Sequence, residues 1–107
     1  MSTTVADNPE ESRYELVVDG RLAGFARYRL GGERITMYHT EVEPEYEGRG
    51  LGDELARGAL ADIRRRGLVL APTCPFIAAY IRRHPDEYLD LVAPSLRERV
   101  MEGARGS

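Results

Sequence analysis

Polar and apolar residues alternate along RYELVV (13–18), which places Tyr14, Leu16 and Val18 on one side of an extended chain. Asp19-Gly20 follows, a pair that tolerates positive φ at both central positions of a two-residue hairpin turn. RLAGFARYRL (21–30) reads as the return strand, with Phe25, Tyr28 and Leu30 as its packing residues. Gly31-Gly32 turns the chain again into ERITMYHTEV (33–42), which is rich in β-branched and aromatic residues. Strict period two puts Ile35, Met37, His39 and Glu41 on one face of this third strand and Thr36, Tyr38, Thr40 and Val42 on the other. Three strands joined by tight turns predict an antiparallel meander.

The period then changes. Leu51, Leu55, Ala59, Leu60 and Ile63 recur at helical spacing. Asp53 and Glu54 in the first turn and Arg64 to Arg66 in the last complement the helix dipole, and Gly67 supplies the stop. LVLA (68–71) is a short apolar strand, and a strand–helix–strand succession predicts that it runs parallel to the third. Pro72 ends it. Pro75 opens a second helix, PFIAAYIRRH, with Cys74 as its N-cap and Pro85 as its end. EYLDLV (87–92) reads as a last strand, and Ser95 to Glu98 has the spacing of a capping box for a C-terminal helix. The predicted fold class is α/β: a mixed sheet with an antiparallel meander, then helix, parallel strand and helix. Residues 1–12 are polar and read as a mobile N-terminus, 13–102 as one domain, and 103–107 as a loose end.

Bulk properties narrow the function. A chain of 107 residues suits one domain. Its 15 basic and 18 acidic side chains leave a net charge of -3, so no cationic field recommends nucleic acid or an anionic membrane as partner. The single cysteine, Cys74, cannot form an internal disulfide and suits a reducing compartment. No apolar run reaches membrane-spanning length, and the first residues lack the apolar stretch of a signal peptide, so the expected location is the cytoplasm. Two separated histidines and one cysteine make no metal-ligand cluster, and no metal is expected.

Three glycines, at 48, 50 and 52, stand between a strand and an amphipathic helix. The first amides of a helix have no internal partner and lie at the positive end of its dipole, so this is an anion-binding arrangement. Small residues let backbone approach a phosphate, and Arg49 can add a contact at the rim. Asp53-Glu54 follow the last glycine where a P-loop requires Lys-Ser/Thr, which argues against nucleoside triphosphate hydrolysis. Asp53 and the antiparallel meander argue equally against a dinucleotide fingerprint. The plainer alternative is a tight helix entry with no ligand.

YEGRGLGDEL resembles the acyl-CoA pyrophosphate loop of the GNAT superfamily of N-acetyltransferases, Arg/Gln-x-x-Gly-x-Gly/Ala, with Gly50 and Gly52 at the glycine positions. Glu47 stands at the first position, where the family usually has Arg or Gln. YHTEVEPEYEGRGLG and LAPTCPFIAAYIRRHP together are similar to a small stand-alone GNAT subfamily, so the resemblance covers about residues 14 to 92. It implies acetyl-CoA as cosubstrate and an amine as acceptor. It also implies that the third and fourth strands splay around the pantetheine arm. Backbone near Val42 would bond that arm like an added strand, and the segment Glu47, Gly48, Arg49, Gly50, Leu51 and Gly52 would hold the pyrophosphate through its amides. The N-terminal helices that wall the acceptor side in larger members have no counterpart here, which suits an open site for a protein or peptide amine, in a monomer or homodimer.

Four residues are candidates for chemistry. A thiol at a helix N-cap is favoured as thiolate, and the resemblance places Cys74 beside the acetyl group, where it would bind or attack the thioester. It is equally readable as a small buried residue closing the strand–helix corner. His39 is of the type that exchanges protons near neutrality and could take the amine proton. Glu41, two residues on, could serve instead or orient it. Tyr80 aligns with the tyrosine that many GNAT enzymes use to protonate coenzyme A, although His84-Pro85 replaces the Gly-Phe pair that usually follows, and it is also readable as core. The competing function from another class is a non-catalytic acyl-CoA sensor or protein-interaction module.

Overall fold

The computed structural model describes residues 2–103. Five strands form one sheet in chain order: β1 (Thr3–Asn8), β2 (Arg13–Val18), β3 (Arg21–Gly31), β4 (Arg34–Val42) and β5 (Val69–Pro72). The first three pairings are antiparallel, and β4 and β5 run parallel, joined through helix α1 (Leu51–Arg65). Helix α2 (Pro75–Arg83), the short α3 (Pro85–Tyr88) and α4 (Arg97–Glu102) complete the α/β domain, with 3-10 turns at Pro44–Tyr46, Leu89–Leu91 and Pro94–Leu96.

The meander follows the sequence closely. Asp19 and Gly20 both take positive φ, 48° and 83°, in the β2–β3 turn. Tyr14, Leu16 and Val18 are buried, as are Ala23, Ala26, Tyr28, Ile35 and Met37. They share one cluster with Leu55, Leu60 and Ile63 of α1 and Ile77 and Ile81 of α2. Each such large apolar side chain contributes at most about 1.5–3 kcal/mol on leaving water. The alternate strand positions, Arg13, Glu15, Phe25, Arg27 and His39 among them, stay outside the core. The helices therefore cover one face of the sheet, and the molecule measures 38 × 32 × 20 Å.

Two bulges correct the expected strand faces. Ala23 is an extra residue in β3 opposite β2, and Tyr38 is an extra residue in β4 opposite β3. Phe25 accordingly leaves the core and lies between the Arg13 and Arg27 guanidinium groups, each 4.8 Å from its ring centre. Leu30 is 48% exposed near the hairpin end. Ile35 and Met37 remain inward, but beyond Tyr38 the parity switches, so His39 and Glu41 face outward and Thr40 and Val42 face the helix layer.

The N-terminus is not loose: Thr3–Asn8 forms the edge strand β1. Its segment reads as polar because hydrogen bonds and one apolar contact hold it in place of a buried stripe. Asp7 accepts from the Tyr28 hydroxyl at 2.6 Å and from Arg66 at 3.1 Å, and Val5 packs where Gly58 leaves α1 bare. A Cβ at Gly58 would lie 2.6 Å from that of Val5. EYLDLV is not a strand. It splits into the end of α3 and a 3-10 turn, and only Val92 forms a bridge, with Leu70. The Ser95–Glu98 capping box is absent because the Pro94–Leu96 turn moves the N-cap of α4 to Leu96. Gly103 is bonded to the end of α4, and the rest of the predicted loose end, 104–107, lies outside the described residues.

Candidate functional site

β4 and β5 pair only from Arg34 to Met37 and from Val69 to Pro72. Past that point the β5 chain turns into α2. The Cys74 amide and the Thr73 hydroxyl both donate to the Met37 carbonyl, at 2.9 and 3.2 Å, and close the ladder. From Tyr38 to Val42 the outer edge of β4 has no strand beside it, while the inner edge stays on β3. The resulting groove has a volume of about 360 Å³. Thr40 and Val42 form one wall, Tyr46, Glu47 and Gly48 the loop end, Gly50 to Asp53 the floor at the start of α1, and Phe76 of α2 the opposite side.

The three loop glycines serve two different needs. Gly48 and Gly50 have φ of 79° and 73°, the left-handed region that other residues enter only with strain. A Cβ on either would meet nothing within 4 Å, so here conformation is the requirement. Gly52 is helical, and its Cβ would come within 2.8 Å of the Phe76 ring. It is therefore the close approach of α1 to α2 that calls for glycine at 52. No side chain caps α1. The amides of Leu51, Gly52 and Asp53 thus have no intrahelical acceptor, and they emerge at the groove floor at the positive end of a helix of 15 residues.

The charges around the mouth are mixed. Asp53 lies on the groove but is held by a two-point contact from Arg83, at 3.0 and 3.3 Å. Glu47 is exposed on the wall. Arg49 is not part of the lining, and its guanidinium lies 5.8 Å from the Tyr46 ring centre.

Cys74 is buried, 3% exposed, and its Sγ is 3.3 Å from the Thr40 hydroxyl oxygen. Thr40 is thus the side chain through which Cys74 meets the end of the groove away from the glycine loop. Cys74 is the N-cap of α2, but its sulfur makes no capping hydrogen bond. His39 and Glu41 are brought together, Nε2 to Oε2 at 3.3 Å, but on the uncovered face of the sheet. Tyr80 lies one turn beyond Phe76 on α2, its ring packed against His84 and Tyr88. Burial, then the neighbouring Tyr88 hydroxyl, pushes its pKa up to about 12, so it keeps its proton at neutral pH. Val42, Glu47, Gly48, Gly50, Leu51 and Gly52 meet at the groove. Arg49, His39, Glu41 and Tyr80 are not in its lining. Thr40, Tyr46, Asp53 and Phe76 are the lining residues that sequence reading missed. For Phe76 the available signal was Gly52, a small residue whose partner across the groove had to be large.

A family model described as GCN5-related N-acetyl-transferase matches residues 13–91. The chain belongs to this family. It is similar to Protein NATD1 of Mus musculus, 36% identical over 69 residues, with 63% of this chain and 63% of that protein covered. It is also similar to the ribosomal protein bS18-alanine N-acetyltransferase of Escherichia coli (strain K12), 28% identical over 67 residues, covering 61% of this chain and 45% of that one. A crystal structure of the Escherichia coli enzyme superposes with a TM-score of 0.53 and 26% identity over 56% of this chain and 39% of that one. A GCN5-like protein of Staphylococcus aureus shares the fold, with a TM-score of 0.60 at 22% identity over 84% and 87% of the two chains. The chain thus spans less than two thirds of the length of its curated relatives. Among the described residues, no helix is long and apolar enough to cross a membrane.

Proposed function

We propose that this chain is an acetyl-CoA-dependent N-acetyltransferase of the small stand-alone GNAT kind, working in the cytoplasm on an amine, with a protein or peptide as one candidate acceptor. One observation carries the reading: the unpaired edge of β4 leads directly to the uncapped N-terminus of α1. An extended amide-bearing arm fits such an edge by strand addition, and a diphosphate fits such a helix start. Backbone groups at Val42 would bond the arm, and the amides from Gly48 to Asp53 would hold the diphosphate. Bound there, acetyl-CoA supplies an acetyl thioester.

The remaining roles fall to this chain's own side chains. Cys74, hydrogen-bonded to Thr40, is in reach of the inner end of the groove as nucleophile or proton donor to the leaving thiolate. Tyr80 retains its proton and is a second donor candidate. His39 and Glu41, paired on the uncovered face, are the candidate groups for taking the amine proton. The test is coenzyme A release over a panel of amines and peptides. We expect turnover on at least one acceptor and a loss of about tenfold or more, the lower end of general acid–base effects being larger still, in Cys74→Ala or His39→Ala. The position of His39 and Glu41 across the sheet from the groove favours a second reading, an acyl-CoA sensor. Coenzyme A binding without turnover on any acceptor would support it.

A further inference from the structure

A second cavity, of about 310 Å³, lies on the other flank of α2. Phe76 turns toward the groove. Ala78 and Arg82, two and six residues on, project about 200–240° further round a helix of 100° per residue, and both line this cavity. Pro72, Ala78, Leu96 and Val100 make its surface largely apolar, Thr73 lines its end near β5, and Arg82 and Arg99 are its charged groups. Among the described residues, no acidic side chain lines it.

The described arginines divide between those held by a carboxylate and those that are not. Arg57, Arg64, Arg65, Arg66 and Arg83 each pair with a carboxylate. Among the described residues, Arg82 and Arg99 are in no ion pair. Arg82 is partly buried and fixed through one nitrogen, Nη1, to the Val100 carbonyl at 3.1 Å. Among the described residues its other donors have no acceptor, in a setting with apolar walls where a charge-assisted contact is strongest. Thr73 connects the two sites: the next residue, Cys74, faces Thr40 and the first groove. Only the 73–74 step and the first turn of α2 separate them.

We infer that this cavity receives the acceptor, and that the acceptor is an amine whose molecule also carries a carboxylate on a small apolar body. The inference rests on the reading of the first groove as the acetyl-carrier site and names the substrate class for it. The carboxylate pairs with Arg82 and Arg99, and the apolar body lies against Ala78, Leu96 and Val100. The volume of about 310 Å³, about ten waters at roughly 30 Å³ each, has room for a molecule the size of leucine. A free apolar amino acid and the carboxyl end of a short peptide share this chemistry. In the transfer itself a C–S bond is exchanged for a C–N bond, and the proton lost by the amine ends on the thiolate.

The experiment is a 1H–15N NMR titration of the full chain with leucine, leucinamide and Gly-Leu, and separately with coenzyme A. Saturable movement of the Thr73, Ala78 and Val100 amides is expected with leucine or Gly-Leu. Tighter binding of leucine identifies a free amino acid, and tighter binding of Gly-Leu a peptide end. Affinity should fall about tenfold with leucinamide and in Arg99→Gln, a change at an exposed residue that leaves the Arg82–Val100 contact intact. Leucinamide binding as well as leucine, or no movement with either acid, overturns the inference. Coenzyme A shifts at Gly48 to Asp53, with silence at Thr73, Ala78 and Val100 toward the acids, remove the acceptor pocket and leave the groove standing. Silence at Gly48 to Asp53 removes the groove reading itself, and the acceptor role with it.

Discussion

At its C-terminal end α1 closes on protein groups. Gly67 takes φ of 68°, and the Gly67 and Leu68 amides donate to Arg64 and Ile63 carbonyls, so the last turn is satisfied from within the chain. Arg64 binds both oxygens of Asp90. Arg66 reaches Asp7, Asp62 and the Tyr14 hydroxyl, and Tyr14 donates to Asp62 at 2.7 Å. At its N-terminal end the same helix begins with Gly50, has no side-chain cap, and opens on a groove. One end ties β1, β2 and β3 to the helix layer, and the other leaves amide donors without an intrahelical acceptor at the groove. Substitutions at the closed end should therefore act on stability, and those at the open end on binding.

The largest effect is expected from filling the α1–β1 contact. Gly58→Leu would drive side-chain atoms into Val5 and should destabilise by about 3 kcal/mol, the upper range for overpacking, as read by urea unfolding. At the open end, Gly52→Leu would meet Phe76 and fill the groove floor. Coenzyme A affinity should fall about a hundredfold, equivalent to about 2.7 kcal/mol, while the urea midpoint moves little. Equal losses of stability at both sites would erase the distinction.

Alkaline pH isolates the closed end. Burial, then Asp7, raises the Tyr28 phenol from 10.0 to about 12. A phenol raised on folding stabilises fully below its unfolded pKa and loses that contribution as pH rises through the folded one. Stability should thus fall between pH 10 and about 12, by about 2 kcal/mol from this group, and Tyr28→Phe should flatten the decline. Asp62 gives the opposite sign. Burial opposes its charge, but hydrogen bonds from Tyr14, Arg65 and Arg66 outweigh it and hold its pKa below 3.8. Its contribution is present above that value and is lost as pH falls through the lowered pKa. The smallest of these effects belongs to Arg66→Ala, which leaves Asp7 and Asp62 short of a partner in a mostly covered setting. It should destabilise by about 1–2 kcal/mol and leave coenzyme A affinity within about twofold.

The same contrast marks what the sequence could show. Periodicity located β2, β3, β4, α1, β5 and α2, because each buries an apolar stripe whose spacing is visible in one dimension. β1 was missed because Asp7 and Val5 are held by partners 21 to 59 residues away, and a polar segment carries no sign of them. The glycine loop was read as an anion site from residue type and order, and in the fold it forms the uncapped start of α1 at the groove. The role of Gly52 needed Phe76, which reaches the groove only through the fold. Period-two counting put His39 and Glu41 on the same face as Ile35 and Met37 because it has no means of detecting the Tyr38 bulge. That single inserted residue turns Thr40 toward Cys74 and turns His39 and Glu41 to the other face.

The central claim is that the open start of α1 grips a diphosphate through its own amides. Its most direct measurement is the amide spectrum during a coenzyme A titration at physiological salt, with the closed end of the helix as internal reference. The account predicts that Leu51, Gly52 and Asp53 move furthest and saturate together, while Gly67 and Leu68 stay in place. Immobile amides at 51 to 53, or movement centred on Gly67 and Leu68, would contradict it.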